Sequence, residues 1–341
     1  MSCNEFFLKF FERGRSASHS CLSFMKVFSY SAILTGGLAA SVSACDICAI
    51  YSASEARGEI GKGAFAGLAE QFTHFGTVQI DGKKIEDPSG QYLNSSISQV
   101  FVGYNFTERI GVQFNLPVIY RGFKRPDSMG GIQTGTESGI GDVSLLGNFV
   151  GYLHETKKST FRWNLLGGVK FPTGSSARLA EELEEVEEPI GPPSGIHGHD
   201  LTLGSGSFDG IVGTSIFTRW RRAFLTANVQ YAIRSKGDFD YRFANDLTWA
   251  GGPGYFLFLN DKFTVDLQAV VSGEHKGLDT FQGESAPDTG VTAVYLGPQI
   301  NFTWQEHLSA QLGVDLPVSI DNTSLQTVPD YRVRAGLTWH F

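Results

Sequence analysis

The last eleven residues, Tyr331-Arg332-Val333-Arg334-Ala335-Gly336-Leu337-Thr338-Trp339-His340-Phe341, decide the reading of the whole chain. Tyr331, Val333, Ala335, Leu337, Trp339 and Phe341 fall on one side of an extended strand. Arg332, Arg334, Gly336, Thr338 and His340 fall on the other. Successive side chains of a strand point to opposite faces, so one face is apolar and the other polar. A half-buried strand of a soluble sheet reads the same way. The ending on Phe341, with Trp339 two before it, resembles the signal by which outer-membrane barrels are recognised by their assembly machinery.

Working backwards, the same unit recurs. Phe161, Trp163, Leu165, Gly167, Val169 and Phe171 alternate with Arg162, Asn164, Leu166, Gly168 and Lys170. The segments 223–234, 263–272 and 308–317 behave alike. Residues 201–217 and 247–259 are broken by glycines, which suit bends or bulges. Strands of about ten alternating residues separated by turns are the signature of a transmembrane barrel. Past the N-terminal segment no run of 18 apolar residues is present, so no helix is expected to cross a bilayer. A closed sheet is the remaining way to satisfy every backbone group in lipid.

The connections give an independent indication. Long polar segments (78–92, 121–139, 174–200, 236–245, 274–290 and 321–330) interleave with short ones (105–109, 154–159, 219–222, 260–262 and 305–307). Long external loops and short periplasmic turns alternate in this way in outer-membrane barrels. The expectation is an all-β, antiparallel up-and-down barrel of about twelve strands over 61–341, with both termini periplasmic. Tyr104, Phe106, Trp220, Phe256, Phe258, Phe302, Trp304, Trp339 and Phe341 crowd the short turns. Aromatic residues favour the water–lipid boundary, so they form the expected girdle at that end.

The N-terminus reads as an export signal. Met25-Lys26 precedes an apolar stretch from Val27 to Ala40, and Val42-Ser43-Ala44 suits cleavage before Cys45. Residues 1–44 are excluded from the fold, and Met25 is an alternative start. Their removal leaves 23 basic residues of 27 and 33 acidic of 35, a net charge of −10. That balance argues against nucleic-acid binding, which needs a basic surface. The expected location is the outer membrane of a Gram-negative-type bacterium, with lipid and a small solute as partners.

Several candidate sites follow. Cys45-Asp46-Ile47-Cys48 fits a periplasmic disulfide, lipidation of Cys45, or half of a metal or redox site; haem attachment is set aside because Ala49 follows the second cysteine. Residues 45–60 form a segment that is either a plug entering the lumen or a tether. The longest loop carries Glu181, Glu182, Glu184, Glu185, Glu187 and Glu188, then His197 and His199. The glutamates read as a solvated charge run, and the two histidines as a transition-metal candidate. Charged residues on lipid-facing positions are expensive, so Asp142, Arg162, Lys170, Arg234, Asp266, Asp315, Arg332 and Arg334 are expected to face the lumen. An open lumen with that basic cluster would favour anions. His74, His154 and His275 show no serine partner in the sequence, so an enzyme is not expected. Nothing calls for a cofactor.

Three short motifs carry a resemblance: Gly139-Ile140-Gly141-Asp142-Val143, Phe171-Pro172-Thr173-Gly174, and Leu203-Gly204-Ser205-Gly206-Ser207 followed by Asp209. Together with the strand pattern they resemble the outer-membrane barrel family named for the MetA pathway of phenol degradation, similar in outline to fatty-acid and aromatic-hydrocarbon transporters. The resemblance implies a channel or transporter for small, hydrophobic or aromatic compounds. The competing expectations are a structural or partner-anchoring barrel with a filled lumen and, less well supported, a barrel lipid hydrolase.

Overall fold

A computed structural model describes residues 62–127, 129–183, 193–305 and 307–341. The export signal, Cys45, Cys48 and the segment up to Gly61 lie outside the described residues, as do the glutamates from Glu184 to Glu188.

Twelve strands form one antiparallel sheet closed on itself. They are β1 (Gly63–Ile80), β2 (Tyr92–Asn105), β3 (Ile110–Pro126), β4 in two pieces (Ile132–Ile140 and Ser144–Glu155), β5 (Ser159–Lys170) and β6 (Asp209–Trp220). They continue with β7 (Ala223–Ile233), β8 (Asp246–Leu259), β9 (Phe263–Lys276), β10 (Val291–Trp304), β11 (Leu308–Asn322) and β12 (Leu325–His340). Each pairs with its sequence neighbour. The circle closes where β12 runs antiparallel to β1, from Phe65↔His340 to Ile80↔Leu325. No strand is left with an open edge, the condition for a sheet to stand in hydrocarbon.

Alternation sorts the side chains as expected. On β11, Leu312 is 52% exposed on the outer surface while Asp315 is 1% exposed inside. Leu165 and Val169 of β5, Leu225 and Val229 of β7, and Leu267 and Val271 of β9 continue the apolar outer belt. A soluble protein rarely shows an apolar surface of more than a few hundred Å². Here it encircles the barrel, and acyl chains are the solvent that suits it. Tyr104, Phe106, Trp220, Phe258, Trp304, Trp339 and Phe341 are outward at the level of the short turns. Phe256 departs from that girdle: regular alternation pairs it with inward Asp266 and puts its ring 5.0 Å from that of Phe224, and the register irregularity that follows returns Phe258 to the outer face.

Two expected long loops are mostly strand. β3 and the first piece of β4 stay paired from Val118↔Ile140 out to Pro126↔Ile132. Between Asn322 and Leu325 the chain turns in two residues, with Ser324 at φ 54°. Beyond the lipid neither face must be apolar, so the alternation fades while the backbone pairing persists. The 171–208 segment is the true long connection, and its described residues are not a solvated arm. Leu179, Ile196, Leu201 and Leu203 on it are buried, Ile196 and Leu201 against Leu93 and Phe123, and Leu203 against Ala69, Ile97, Phe101 and Ile119 of the inner wall. The loop folds into the external mouth.

If the belt faces acyl chains, Leu312→Arg should lower the unfolding free energy in lipid vesicles by about 2–4 kcal/mol. Glu284→Arg, in an external loop, should be near neutral. Urea titration of vesicle-inserted protein reads both, and equal effects would contradict the orientation.

Candidate functional site

The three sequence motifs come together where the loop enters the barrel. β4 is interrupted at 141–143, and the Asp142 carboxylate in that break is fully buried. It accepts hydrogen bonds from the Gly174 N–H (2.9 Å), the Ser205 N–H (2.9 Å) and the Ser205 hydroxyl (2.9 Å). Val143 N–H donates to the Thr173 hydroxyl (2.9 Å), which donates to the Gly141 carbonyl (2.9 Å). Backbones approach too closely here for side chains. A Cβ on Gly204 would stand 2.5 Å from the Gly174 carbonyl oxygen and 2.6 Å from Asp142 Oδ1. Glycine at this position is therefore a steric requirement.

From Asp142 an ionic ladder crosses the inner wall. Lys170 Nζ on β5 lies 2.5 Å from Asp142 Oδ2 and 2.9 Å from Asp209 Oδ2 on β6, and also donates to the Ser205 hydroxyl. Arg234, directly after β7, contacts Asp209 (2.9 Å) and Asp246 on β8 (2.6 Å). The opposite part of the wall holds two further sets. Arg334 grips Asp315 at 2.7 and 2.8 Å and reaches Gln299 at 3.2 Å. Arg332 lies 3.0 Å from Glu274, which also accepts from the Tyr295 hydroxyl at 2.8 Å. Arg162 donates to Asn164 (2.9 Å), and Asp266 accepts from Asn301 (2.7 Å). All eight charged residues singled out in the sequence are thus on the inner side. Their partners Asp209, Asp246, Glu274 and Tyr295 were not among them.

The pairing removes the basis for anion preference drawn from the basic cluster. Lys170, Arg234, Arg332 and Arg334 each meet a carboxylate, so their charges cancel locally.

His197 and His199 serve to fix the loop. Their rings stack at 5.6 Å. His199 Nδ1 lies 3.0 Å from Glu182 Oε1, its Nε2 lies 3.5 Å from Asp200, and His197 Nε2 lies 3.3 Å from Asp288. Burial disfavours the His199 charge, but Asp200 and Glu182 outweigh it and push its pKa up to about 10. Burial likewise opposes the Glu182 charge, and His199 overrides it, holding the carboxyl at about 2. A protonated imidazole has no lone pair for a metal. Among the described residues no group of three His, Cys, Asp or Glu side chains is placed to hold a metal ion. Glu181 is paired too, with Arg125 at 2.7 Å and with Arg178. The solvated reading of the acidic run therefore fails at Glu181 and Glu182, because the loop turns inward. His74 is engaged by Asn94 (2.7 Å) rather than by a serine.

Inside the lumen, cavities lie above and below a packed middle. The external one, about 100 Å³, sits beneath the loop between Phe75, Leu93, Arg121, His199 and Tyr295. The periplasmic one, about 430 Å³, is lined by Thr160, Phe217, Phe224, Phe256, Gln268 and Asn301 among others. Between them Gln71, Thr73 and Ser95 on β1 and β2, and Asn228, Gln230 and Thr248 on β7 and β8, carry buried polar atoms with no hydrogen-bond partner.

Two outcomes follow for the loop. Asp142→Ala removes the acceptor that ties three segments together and strands part of a buried ion network. It should cost roughly 3–5 kcal/mol and open 175–205 to protease in intact vesicles, where the wild type resists. The His199–Glu182 pair contributes fully between about pH 4.5 and 6.5. The contribution of His199, whose pKa is raised, is lost as pH climbs toward 10, and that of Glu182, whose pKa is lowered, is lost as pH falls toward 2. Protease protection of the loop should peak in that window and fall on both sides.

The architecture is similar to that of solved outer-membrane barrels. An outer membrane channel from Pseudomonas putida F1 superposes with a TM-score of 0.58 at 14% identity, covering 84% of this chain and 98% of that one. The translocator domain of the autotransporter NalP from Neisseria meningitidis gives 0.42 at 12% identity, covering 93% and 98%. A FadL homologue from Pseudomonas aeruginosa gives 0.34 at 11% identity, covering 84% and 96%. No protein-family model and no curated protein matches the chain. At such identities the likeness is one of fold. That fold, with its closed sheet and encircling apolar belt, is an outer-membrane β-barrel, and the chain is located in the outer membrane.

Proposed function

We propose that the protein is an outer-membrane channel for small solutes, described here in a closed state held by the 171–208 loop. The observation that carries this reading is the band of buried, unpartnered polar groups on β1, β2, β7 and β8. Leaving a buried donor or acceptor unsatisfied costs about 1–3 kcal/mol. A core meant to stay filled would be apolar or fully hydrogen-bonded. A wall that hydrates when the loop withdraws needs just such amides and hydroxyls. The polar wall also faces a periplasmic cavity edged by Phe217, Phe224 and Phe256, a mixture that suits small amphipathic compounds.

The converging glycine motifs support the resemblance to the phenol-degradation barrels, and with it hydrophobic or aromatic solutes. Trp339 and Phe341, outward at the end of the chain, support recognition by the barrel-assembly machinery. The filled-lumen scaffold remains the second reading, favoured by the loop seated in the mouth and by the ionic ladder that secures it.

Planar-bilayer recording separates the two. The wild type should show low or intermittent conductance. Asp142→Ala, or replacement of 176–202 by a short Gly-Ser linker, should raise it at least severalfold. A lumen that stays non-conducting in both variants, with the barrel folded, would favour the scaffold.

A further inference from the structure

Among the inward cations Arg121 on β3 stands apart. It is 6% exposed, yet among the described residues no carboxylate pairs with it. Its Nη1 donates to the carbonyls of Asp200 and of Thr202 (3.0 Å), which ties it to the loop. Its Nε is buried without a hydrogen-bond partner, and the hydrogen bonds it makes to the described residues leave from Nη1. The nearby acids are committed elsewhere. Glu137, its cross-strand neighbour, accepts from Arg178 Nε at 2.9 Å, and Asp200 receives the His197 N–H at 2.9 Å and faces His199 at 3.5 Å. The contrast with Arg334 is direct: there the Nε and Nη2 atoms are filled by Asp315.

The Nε–Nη2 edge of a guanidinium matches a carboxylate in two parallel hydrogen bonds. A buried, unpaired charge is costly and is best explained by a counter-ion that arrives from outside. Arg121 lines the external cavity, whose other walls include Phe75, Leu93, Phe243, Ala293, Tyr295 and Val328. Arg234 and Lys276 also reach it, but Asp209, Asp246 and Asp279 neutralise them. One vacant cationic edge in an apolar chamber of about 100 Å³ selects for a single acid group on a small apolar body. The chamber is smaller than the cavity of about 150 Å³ that accepts benzene, so a single ring is the upper limit on the body.

We propose that this cavity is a binding site for small monocarboxylates with an apolar body no larger than a single ring, the carboxylate held by the Nε–Nη2 edge of Arg121. The site deepens the channel reading and rests on it for the direction of uptake, since the cavity lies on the external side of the closed loop. The protonated His199 beside it adds positive potential without offering a vacant pair.

Binding of benzoate, benzamide and sulfate to the purified full-length protein in detergent micelles, measured by calorimetry and ligand-detected NMR, tests this. Benzoate should bind saturably, and benzamide and sulfate at least tenfold more weakly. Arg121→Lys keeps a cation for the two loop carbonyls but lacks the second edge, and should weaken benzoate about tenfold. Arg121→Gln should abolish the preference for benzoate over benzamide. Lys262→Gln, in a periplasmic turn, should change nothing. Heat-dependent gel mobility confirms that each variant is a folded barrel. Equal binding of benzoate and benzamide, undiminished benzoate binding by folded Arg121→Lys, or no saturable benzoate binding would overturn the assignment. Sulfate binding as tight as benzoate would overturn its apolar half. The channel reading is judged separately: conductance without benzoate binding removes this site alone, and benzoate binding without conductance in the loop-deleted protein removes the channel alone.

Discussion

Within hydrocarbon there is no water to take up an unpaired N–H or carbonyl, and the rest of this structure follows from that shortage. β12 pairs with β1 from Phe65↔His340 to Ile80↔Leu325, so the sheet has no edge. Once the ladder is closed, each strand must present apolar side chains to lipid and can place anything else inside. The expense of a charge in lipid then drives every arginine, lysine and carboxylate at membrane depth into one narrow interior. There they must find each other.

That crowding explains the ladder from Asp142 through Lys170, Asp209 and Arg234 to Asp246. It joins β4, β5, β6 and β8 and the start of the β7–β8 connection. It also secures a loop, because Ser205 and Gly174 spend their N–H groups on the same Asp142 carboxylate. Closure makes the barrel wall rigid, and the loop is held to it by a few buried polar contacts. The stacked histidines, with Glu182, Asp200 and Asp288 around them, secure the outer part of the same loop. The described residues of the 171–208 segment are thus seated against the inner wall at the external end.

Charge cancellation changes what the interior can select. Five basic residues read along the strands suggest an anion path, but four of them are matched by acids. On the proposed channel reading, selectivity falls to the neutral amides and hydroxyls at mid-depth, the aromatic rings near the periplasmic end, and Arg121 near the external end. Each is a local feature of a particular cavity rather than a field over the whole lumen.

Period-two alternation fixed the barrel, its approximate strand number, the inward direction of Asp142, Arg162, Lys170, Arg234, Asp266, Asp315, Arg332 and Arg334, and most of the aromatic girdle. Lipid on one side of each strand imposes that pattern on residues two apart, so a linear reading can find it. The sequence did not disclose which charges pair, that Arg121 lacks an acid, that the acidic loop turns inward, or that Phe256 leaves the girdle. Asp209, Asp246 and Glu274 sit at strand ends, where alternation fades and the chain resembles loop; extending the parity of Ile119 to Arg121 would have placed that residue inside, but not its partners. Those partners are the carbonyls of Asp200 and Thr202, 79 and 81 residues further on in a loop that folds back onto the wall. Period two records only which face a residue takes. Who stands across the lumen from it is a property of the closed cylinder, and only the tertiary structure decides that.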